Sequence, residues 1–212
     1  MLLLGVDAGG STTVAALADE QGEVLALAQA GRGNFQGPGL EAARAEVQRS
    51  IELAAAQAGV GTKQITSAYF GMAGADRPRD FELVRELLTP IVPPQALWGF
   101  ENDALLGLWA GTRTGVGVAA ICGTGTNVVG VNAQGKKVQV GGMGTIFGDY
   151  AGGRYIGELA LARSQRSVEG RGEPTVLYER LCQHYQVREL LDLVDWLYAG
   201  RDLQLAELAP LV

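Results

Sequence analysis

Asp7-Ala-Gly-Gly-Ser-Thr-Thr-Val14 joins two apolar, β-like runs, residues 2–8 and 12–18, through a loop built almost wholly of small residues. A tight hairpin needs only a pair such as Asn-Gly at its turn, so the five small residues from Gly9 to Thr13 exceed what chain reversal requires. Successive backbone N–H groups and hydroxyls in such a loop suit an anion, and glycine admits the positive φ and close approach that phosphate oxygens demand. The competing reading is a plain turn.

A second stretch repeats the pattern. Cys122-Gly-Thr-Gly-Thr-Asn-Val128 follows an apolar run at 116–121, and laying Gly9 on Gly123 puts Thr13 on Asn127 and Val14 on Val128. Each loop is preceded by a strand and followed by another strand and a glycine turn, at Gly22 and at Gly135. Chance recurrence of Gly-Thr turns would not preserve that order, so the chain reads as two similar halves, residues 1–112 and 113–212. The second half has no counterpart of the later strands of the first and reads as an incomplete lobe that continues into a helical segment.

Working outward, residues 24–29 form a third strand, reversed at Asp19-Glu20-Gln21-Gly22. Residues 40–58 carry apolar side chains at helical spacing (Leu40, Ala43, Val47, Ile51, Ala54, Ala58) and stop at Gly59, a natural helix terminator. Strands at 65–72 and 96–100 alternate with helices at 80–88 and 103–109, which indicates α/β layers. Past Gly142 come a glycine-rich loop and helical patterns at 155–164, 176–184, 188–198 and 202–208.

Composition narrows the function. The 212 residues are 47% hydrophobic, ample for a core, and 17 Lys+Arg against 23 Asp+Glu leave a net charge of −6. With no basic cluster, nucleic acid and anionic membrane surfaces are excluded as partners. No apolar run approaches the roughly 18 residues of a membrane span and no signal-peptide pattern opens the chain, so it reads as cytoplasmic. Cys122 and Cys182 form no CxxC and His184 is the only histidine, which removes zinc sites of several His and Cys and any Ser-His-Asp triad. Glycine is the outlier, at 31 residues, about twice its ordinary share of roughly 7%. Neither a P-loop nor a dinucleotide fingerprint accounts for it.

Two further features carry chemistry. Asn102-Asp103 follows the strand at 96–100 and opens a helix. An Asn or Asp there is an ordinary helix cap, but a carboxylate at a strand's end beside phosphate loops can also take a proton from a substrate hydroxyl. Gly141-Gly-Met-Gly-Thr-Ile-Phe-Gly-Asp149-Tyr-Ala-Gly-Gly153 is costly to order and too apolar for a flexible linker. Asp149, its only charge, is a candidate for bonding hydroxyl groups, against a capping role.

Together, Asp7-Ala-Gly-Gly-Ser-Thr12, Gly71-Met-Ala-Gly-Ala-Asp-Arg-Pro78, Asn102-Asp103-Ala104, Cys122-Gly-Thr-Gly-Thr-Asn127 and Gly141-Gly to Gly148-Asp149 resemble the N-acetylglucosamine kinase branch of the BadF/BadG/BcrA/BcrD-type ATPases, within the actin/hexokinase superfamily. The resemblance implies an α/β, duplicated ribonuclease H-like (actin-like ATPase) fold whose two lobes have mixed sheets flanked by helices, with ATP and a sugar bound between them. It implies phosphate binding by Gly9, Gly10, Ser11 and Thr12 and by Gly123, Thr124, Gly125 and Thr126. Asp7 would take Mg²⁺, directly or through water, and Asp103 would act as base toward the sugar 6-hydroxyl. Asn34, Gly74, Asn102, Thr124, Gly142 and Asp149 would contact the sugar. Kinases of this branch usually read Gly-Asp-Glu-Gly-Ser where this chain has Gly148-Asp149-Tyr150-Ala151-Gly152, and they are often dimers through the second lobe.

The expected activity is ATP-dependent phosphorylation of N-acetylglucosamine or a related amino sugar. A second branch of the family, activator ATPases that pass electrons from an iron-sulfur cluster to a dehydratase or reductase, carries a cysteine pair per subunit, and the spacing of Cys122 and Cys182 is not that arrangement. A non-catalytic sugar-binding regulator on a kinase scaffold is the third reading.

Overall fold

The computed structural model describes all residues 1–212, which divide into two compact units: residues 1–119 with 129–137, and residues 120–128 with 138–212. No helix is long and apolar enough to cross a membrane.

In the first unit, strands β1 (Leu3–Ala8), β2 (Thr13–Ala18), β3 (Val24–Ala30), β4 (Ser67–Met72) and β5 (Leu97–Glu101) form one sheet in the order β3-β2-β1-β4-β5. The first three make an antiparallel meander, and β4 and β5 add in parallel to β1. The alternation of strands and helices predicts α/β layers, and this mixed order is the ribonuclease H-like arrangement that the family resemblance implies. The pleat explains the apolar runs: Leu4, Val6 and Ala8 of β1 and Ala15 and Leu17 of β2 point to the covered face.

Helix α1 (Leu40–Ala58) lays Ala43, Val47, Ile51 and Ala54 on the core and ends where the periodicity does. Gly59 adopts φ 67° and returns its N–H to the carbonyls of Ala55 and Ala56, a left-handed cap that a side chain would strain. Helix α2 (Pro78–Leu88) starts earlier than its periodicity suggests. Pro78 needs no hydrogen-bond acceptor in the first turn, and Asp80 accepts from the Arg77 backbone N–H at 3.0 Å while pairing with its guanidinium. Arg77 is therefore engaged in closing a helix end.

Helix α3 (Ala104–Gly111) follows β5 directly and packs Ala104, Leu105 and Leu108 against Val129. Strands β6 (Gly117–Cys122), β7 (Thr126–Val131) and β8 (Lys137–Gly141) form a second sheet in the order β6-β7-β8, and the boundary between the units passes through it. They repeat the β1–β3 order of strand, Gly/Thr loop, strand, turn and strand, with Gly135 at φ 74° in the turn. Val118, Val138 and Val140 of this sheet are exposed.

The second unit contains α4 (Gly153–Val168), α5 (Leu177–Tyr185), α6 (Asp192–Tyr198) and a closing 3₁₀ segment, Leu205–Leu211, around Ala160, Leu181, Leu193 and Leu208. Two helical expectations are corrected here. The segment expected to be helical from 188 becomes so only at Asp192, because the Asp192 carboxylate accepts from the N–H groups of Arg188 and Glu189 and holds residues 188–191 in a turn ahead of the helix. Residues 205–211 wind as 3₁₀ rather than α-helix, with Pro210 lacking the N–H an α-helix would use.

Candidate active site

In parallel sheets ligands gather at the carboxyl ends of the strands, and the candidate residues of the first unit lie at that edge. Asp7 stands near the end of β1 in register with Gly71 of β4, which is itself in register with Glu101 of β5. Gly71 is required there: a Cβ would lie 2.5 Å from Leu106 Cγ and 3.2 Å from Asp103 Cα, so only glycine lets the start of α3 settle onto the strand. The consequence is that Asp103 sits over the β4 edge, one strand from Asp7.

Asp103 is half-buried and its pKa is pushed up to about 6, first by burial and then by the charges of Asp7 and Asp76. The Asp7 carboxyl is also raised, by partial desolvation at this edge. Asn102 is only 3% exposed; its Oδ1 accepts from the Ala104 N–H at 3.0 Å and its Nδ2 donates to Asp76 Oδ1 at 2.9 Å. Its amide therefore works inside the fold, behind Asp103. Asp103 caps α3 as well, accepting from the same Ala104 N–H at 3.0 Å. Capping and a position suited to proton transfer coexist in one carboxylate.

The first Gly/Thr loop is closed by Gly9 N–H to Thr12 carbonyl at 2.9 Å, and Gly10, Ser11 and Thr12 are exposed. A second segment braces it: Asn34 N–H donates to the Gly9 carbonyl at 3.2 Å, and a Cβ on Gly33 would lie 2.5 Å from Thr13 Oγ1 and 2.7 Å from Ala8 Cβ. Asn34 Oδ1 accepts from Gln36 N–H at 2.8 Å and lies against Gly74, whose φ of 86° leaves no room for a side chain. Asp7, the loop, Asn34, Gly74, Asn102 and Asp103 thus occupy one edge of one sheet.

In the second unit, Gly123 N–H donates to the Gly125 carbonyl at 2.9 Å, closing the second Gly/Thr loop. The start of α4 holds it, with Gly153 and Arg154 N–H groups donating to the Gly123 and Thr124 carbonyls at 2.7 and 2.9 Å, and Thr126 Oγ1 donating to the Tyr150 carbonyl at 3.1 Å. Gly152 packs so closely that a Cβ would lie 2.7 Å from Gly125 Cα. Gly142 N–H donates to the Thr126 carbonyl at 3.0 Å. Asp149, buried, accepts from the Gly144 N–H. The unit therefore brings Gly123, Thr124, Gly125, Thr126, Gly142 and Asp149 into one connected set of loops. Cys122 is exposed and Cys182 buried, and both are free thiols.

Sequence reasoning assigned no role to Asp76 or Gly33. Asp76 lies within a motif already singled out, and its signal is an acid just past the end of β4, the strand beside the one that delivers Asn102. Gly33 has no signal beyond its neighbour Asn34.

The chain is 29% identical to an N-acetyl-D-glucosamine kinase of Dictyostelium discoideum over 99% of its own length and 69% of the relative's. It is 27% identical to an N-acetylmuramic acid/N-acetylglucosamine kinase of Clostridium acetobutylicum over 92% of its length, but it spans only 64% of that protein. Among solved structures, a Chromobacterium violaceum protein assigned as an N-acetylglucosamine kinase superposes with a TM-score of 0.80 at 26% identity, covering 99% of this chain and 72% of the other. Residues 4–193 match the family of BadF, BadG, BcrA and BcrD ATPases. The match takes in both Gly/Thr loops and the Asn102-Asp103 edge, and the chain belongs to the BadF/BadG/BcrA/BcrD ATPase family.

Proposed function

We propose that this protein transfers the γ-phosphoryl group of ATP to the 6-hydroxyl of an amino sugar of the N-acetylglucosamine class, its first lobe spanning residues 1–112 and the second beginning at 113. The observation that carries the reading is Asp103, a half-buried carboxyl at a parallel-sheet edge, one strand from Asp7 and the Gly9 loop, with its pKa raised to about 6. A base with that affinity is ionised at neutral pH yet basic enough to receive a proton.

In the proposed reaction the Asp103 carboxylate accepts the proton of the sugar hydroxyl as that oxygen bonds to the γ-phosphorus. The bond from the γ-phosphorus to the bridging oxygen breaks, and ADP leaves with the electron pair. Gly10, Ser11 and Thr12 offer backbone N–H groups and hydroxyls to phosphate oxygens and Thr124 and Gly125 offer theirs from the second loop, while the Gly9 and Gly123 N–H groups and the Thr126 hydroxyl hold the two loops in shape. Asn34, Gly74, Thr124, Gly142 and Asp149 meet the sugar, with Asn102 supporting Asp103 from behind.

No group of three His, Cys, Asp or Glu side chains could hold a metal ion by protein ligands alone. Mg²⁺ is held by one or two carboxylates and completes its shell with water and phosphate, and the exposed Asp7 beside the Gly9 loop offers one such carboxylate. Asp7 would hold it, and when bound the ion neutralises phosphate charge.

The test is ADP release by the purified protein with ATP, Mg²⁺ and a panel of neutral, acidic and amino sugars. Stimulation by N-acetylglucosamine or a related amino sugar above the sugar-free rate is expected; no stimulation by any amino sugar overturns the reading.

A further inference from the structure

A base that also caps a helix has a conflict. The Ala104 N–H, an orphan donor of α3's first turn, attracts the Asp103 carboxylate, and a carboxylate committed to that bond is less basic and less free to meet a hydroxyl. The structure divides the duty. The Ala104 N–H is shared between Asn102 Oδ1 and Asp103 Oδ1, each at 3.0 Å.

The division depends on which way the Asn102 amide faces. Turned over, it would present its NH₂ to the Ala104 N–H, donor against donor, and Asp103 would be left as the sole cap. At 3% exposure, water cannot correct the choice. What fixes it is Asp76, from the connection between β4 and α2, which takes the Asn102 Nδ2 at 2.9 Å. An ionised carboxylate only accepts, so it can bond the NH₂ end and never the oxygen.

We propose that Asp76 is a positioning residue: by fixing the orientation of the Asn102 amide, it keeps the Ala104 N–H partly satisfied and leaves the Asp103 carboxylate available to the substrate hydroxyl. The brace joins the ends of two neighbouring parallel strands, β4 and β5, at the point where Gly71 lets Asp103 approach the sheet. Asp76 touches no reacting atom in this scheme. The proposal rests on the reading of Asp103 as the base and adds a residue to it.

The experiment compares Asp76→Ala and Asp76→Asn with the wild type in kcat, in KM for the sugar, and in the exchange of the Asn102 side-chain and Ala104 backbone amide protons, read by NMR on the substrate-free protein. Asp76→Ala is expected to lower kcat by about 10- to 100-fold, the scale of a misplaced reacting group, with sugar KM within about twofold and faster exchange of both amides. Asp76→Asn, which retains an acceptor oxygen but can also turn over, should fall between Asp76→Ala and the wild type. An unchanged kcat in Asp76→Ala, or equal loss in kcat and sugar affinity, overturns the proposal. If Asp76→Ala does not fold, Asp76→Leu, of similar volume and without an acceptor, takes its place with the same expectations. A wild type without sugar-dependent turnover defeats the kinase reading instead, and unchanged amide exchange in the variants still defeats the brace.

Discussion

The loop of Gly9 to Thr12 and the loop of Gly123 to Gly125 are each closed by a short backbone hydrogen bond and are each followed by a strand and a glycine turn, yet different structures hold them. The first is braced by a chain segment more than twenty residues on, through Asn34 N–H on the Gly9 carbonyl and Gly33 on Thr13 and Ala8, all on a sheet whose covered face is buried. The second is braced by one helix, whose first N–H groups take the Gly123 and Thr124 carbonyls. Duplication thus kept the closed Gly/Thr turn without keeping its support. In the second loop the first two donors of α4 are already spent on loop carbonyls, so in the proposed site a phosphate would be met there by free N–H and hydroxyl groups of the loop itself.

The largest expected effect separates the loops by chemistry, since the first alone shares its sheet edge with the proposed base, Asp103. Asp103→Asn should reduce kcat by about 10²–10⁴-fold, the usual worth of a positioned general base, with nucleotide affinity little changed. The same substitution should stabilise the fold. The Asp103 pKa rises from the ordinary 3.8 to about 6, so the native state binds more protons than the unfolded chain between those values and loses stability as pH rises through that window. Above pH 6 the penalty amounts to at most about 3 kcal/mol, and the neutral amide removes it. Urea denaturation at pH 8 should therefore show a higher midpoint for Asp103→Asn; a lower one would mean that burial is not what raises this carboxyl. In the wild type, kcat/KM should fall on the acid side with an apparent pKa near 6.

The next effect strikes the support of the second loop. Gly157 of α4 lies against the 3₁₀ segment so closely that a Cβ would lie 2.8 Å from the Leu205 carbonyl carbon, and closer still to its oxygen. Backbone cannot swing aside as a side chain can, so Gly157→Ala should cost about 3 kcal/mol, the upper range for overpacking. Hydrogen exchange should quicken in α4 and at Gly153 and Arg154 while β1 and β4 keep their protection. Loss of protection in both units alike would show that the two braces are not independent.

Gly33→Ala is the matching change at the first loop. Its Cβ would meet Thr13 Oγ1, which can rotate, and Ala8 Cβ, which moves only with its strand, so about 2 kcal/mol is expected, with weaker ATP binding and no change in exchange at Gly153. Equal effects of Gly33→Ala on both loops would erase the distinction drawn between them.

The strands, the meander order and both ends of α1 were legible because they follow from local rules: alternation, helical spacing and a terminating Gly59. Asp103 was legible because it lies in a short motif. The division of capping between Asn102 and Asp103 was not, since the residue that decides it, Asp76, is 26 positions away and becomes a neighbour only when β4 and β5 pair. Gly33 escaped notice for the same reason: its necessity comes from the proximity of Thr13 and Ala8, which periodicity does not encode. The 3₁₀ winding of residues 205–211 depends on packing against α4, with Pro210 the only local hint.

The smallest expected effect calibrates the others, because it lies at neither loop. The Asp80 side chain is 1% exposed and does two things at the start of α2: it accepts from the Arg77 N–H and pairs with the Arg77 guanidinium, which holds its pKa below the ordinary range. Arg77 is itself 63% exposed, so the ion pair is screened and the cap carries most of the value. Asp80→Ala should cost about 1–2 kcal/mol at neutral pH. Because the folded pKa is depressed, this contribution is complete above the unfolded value of 3.8 and declines as pH falls through the folded one. The gap between wild type and Asp80→Ala in denaturation midpoint should therefore narrow in acid, whereas the gap between wild type and Asp103→Asn should narrow in the same direction for the opposite reason, through loss of a penalty. A gap for Asp80→Ala that persists unchanged to low pH would place its worth in packing rather than in the ionised cap.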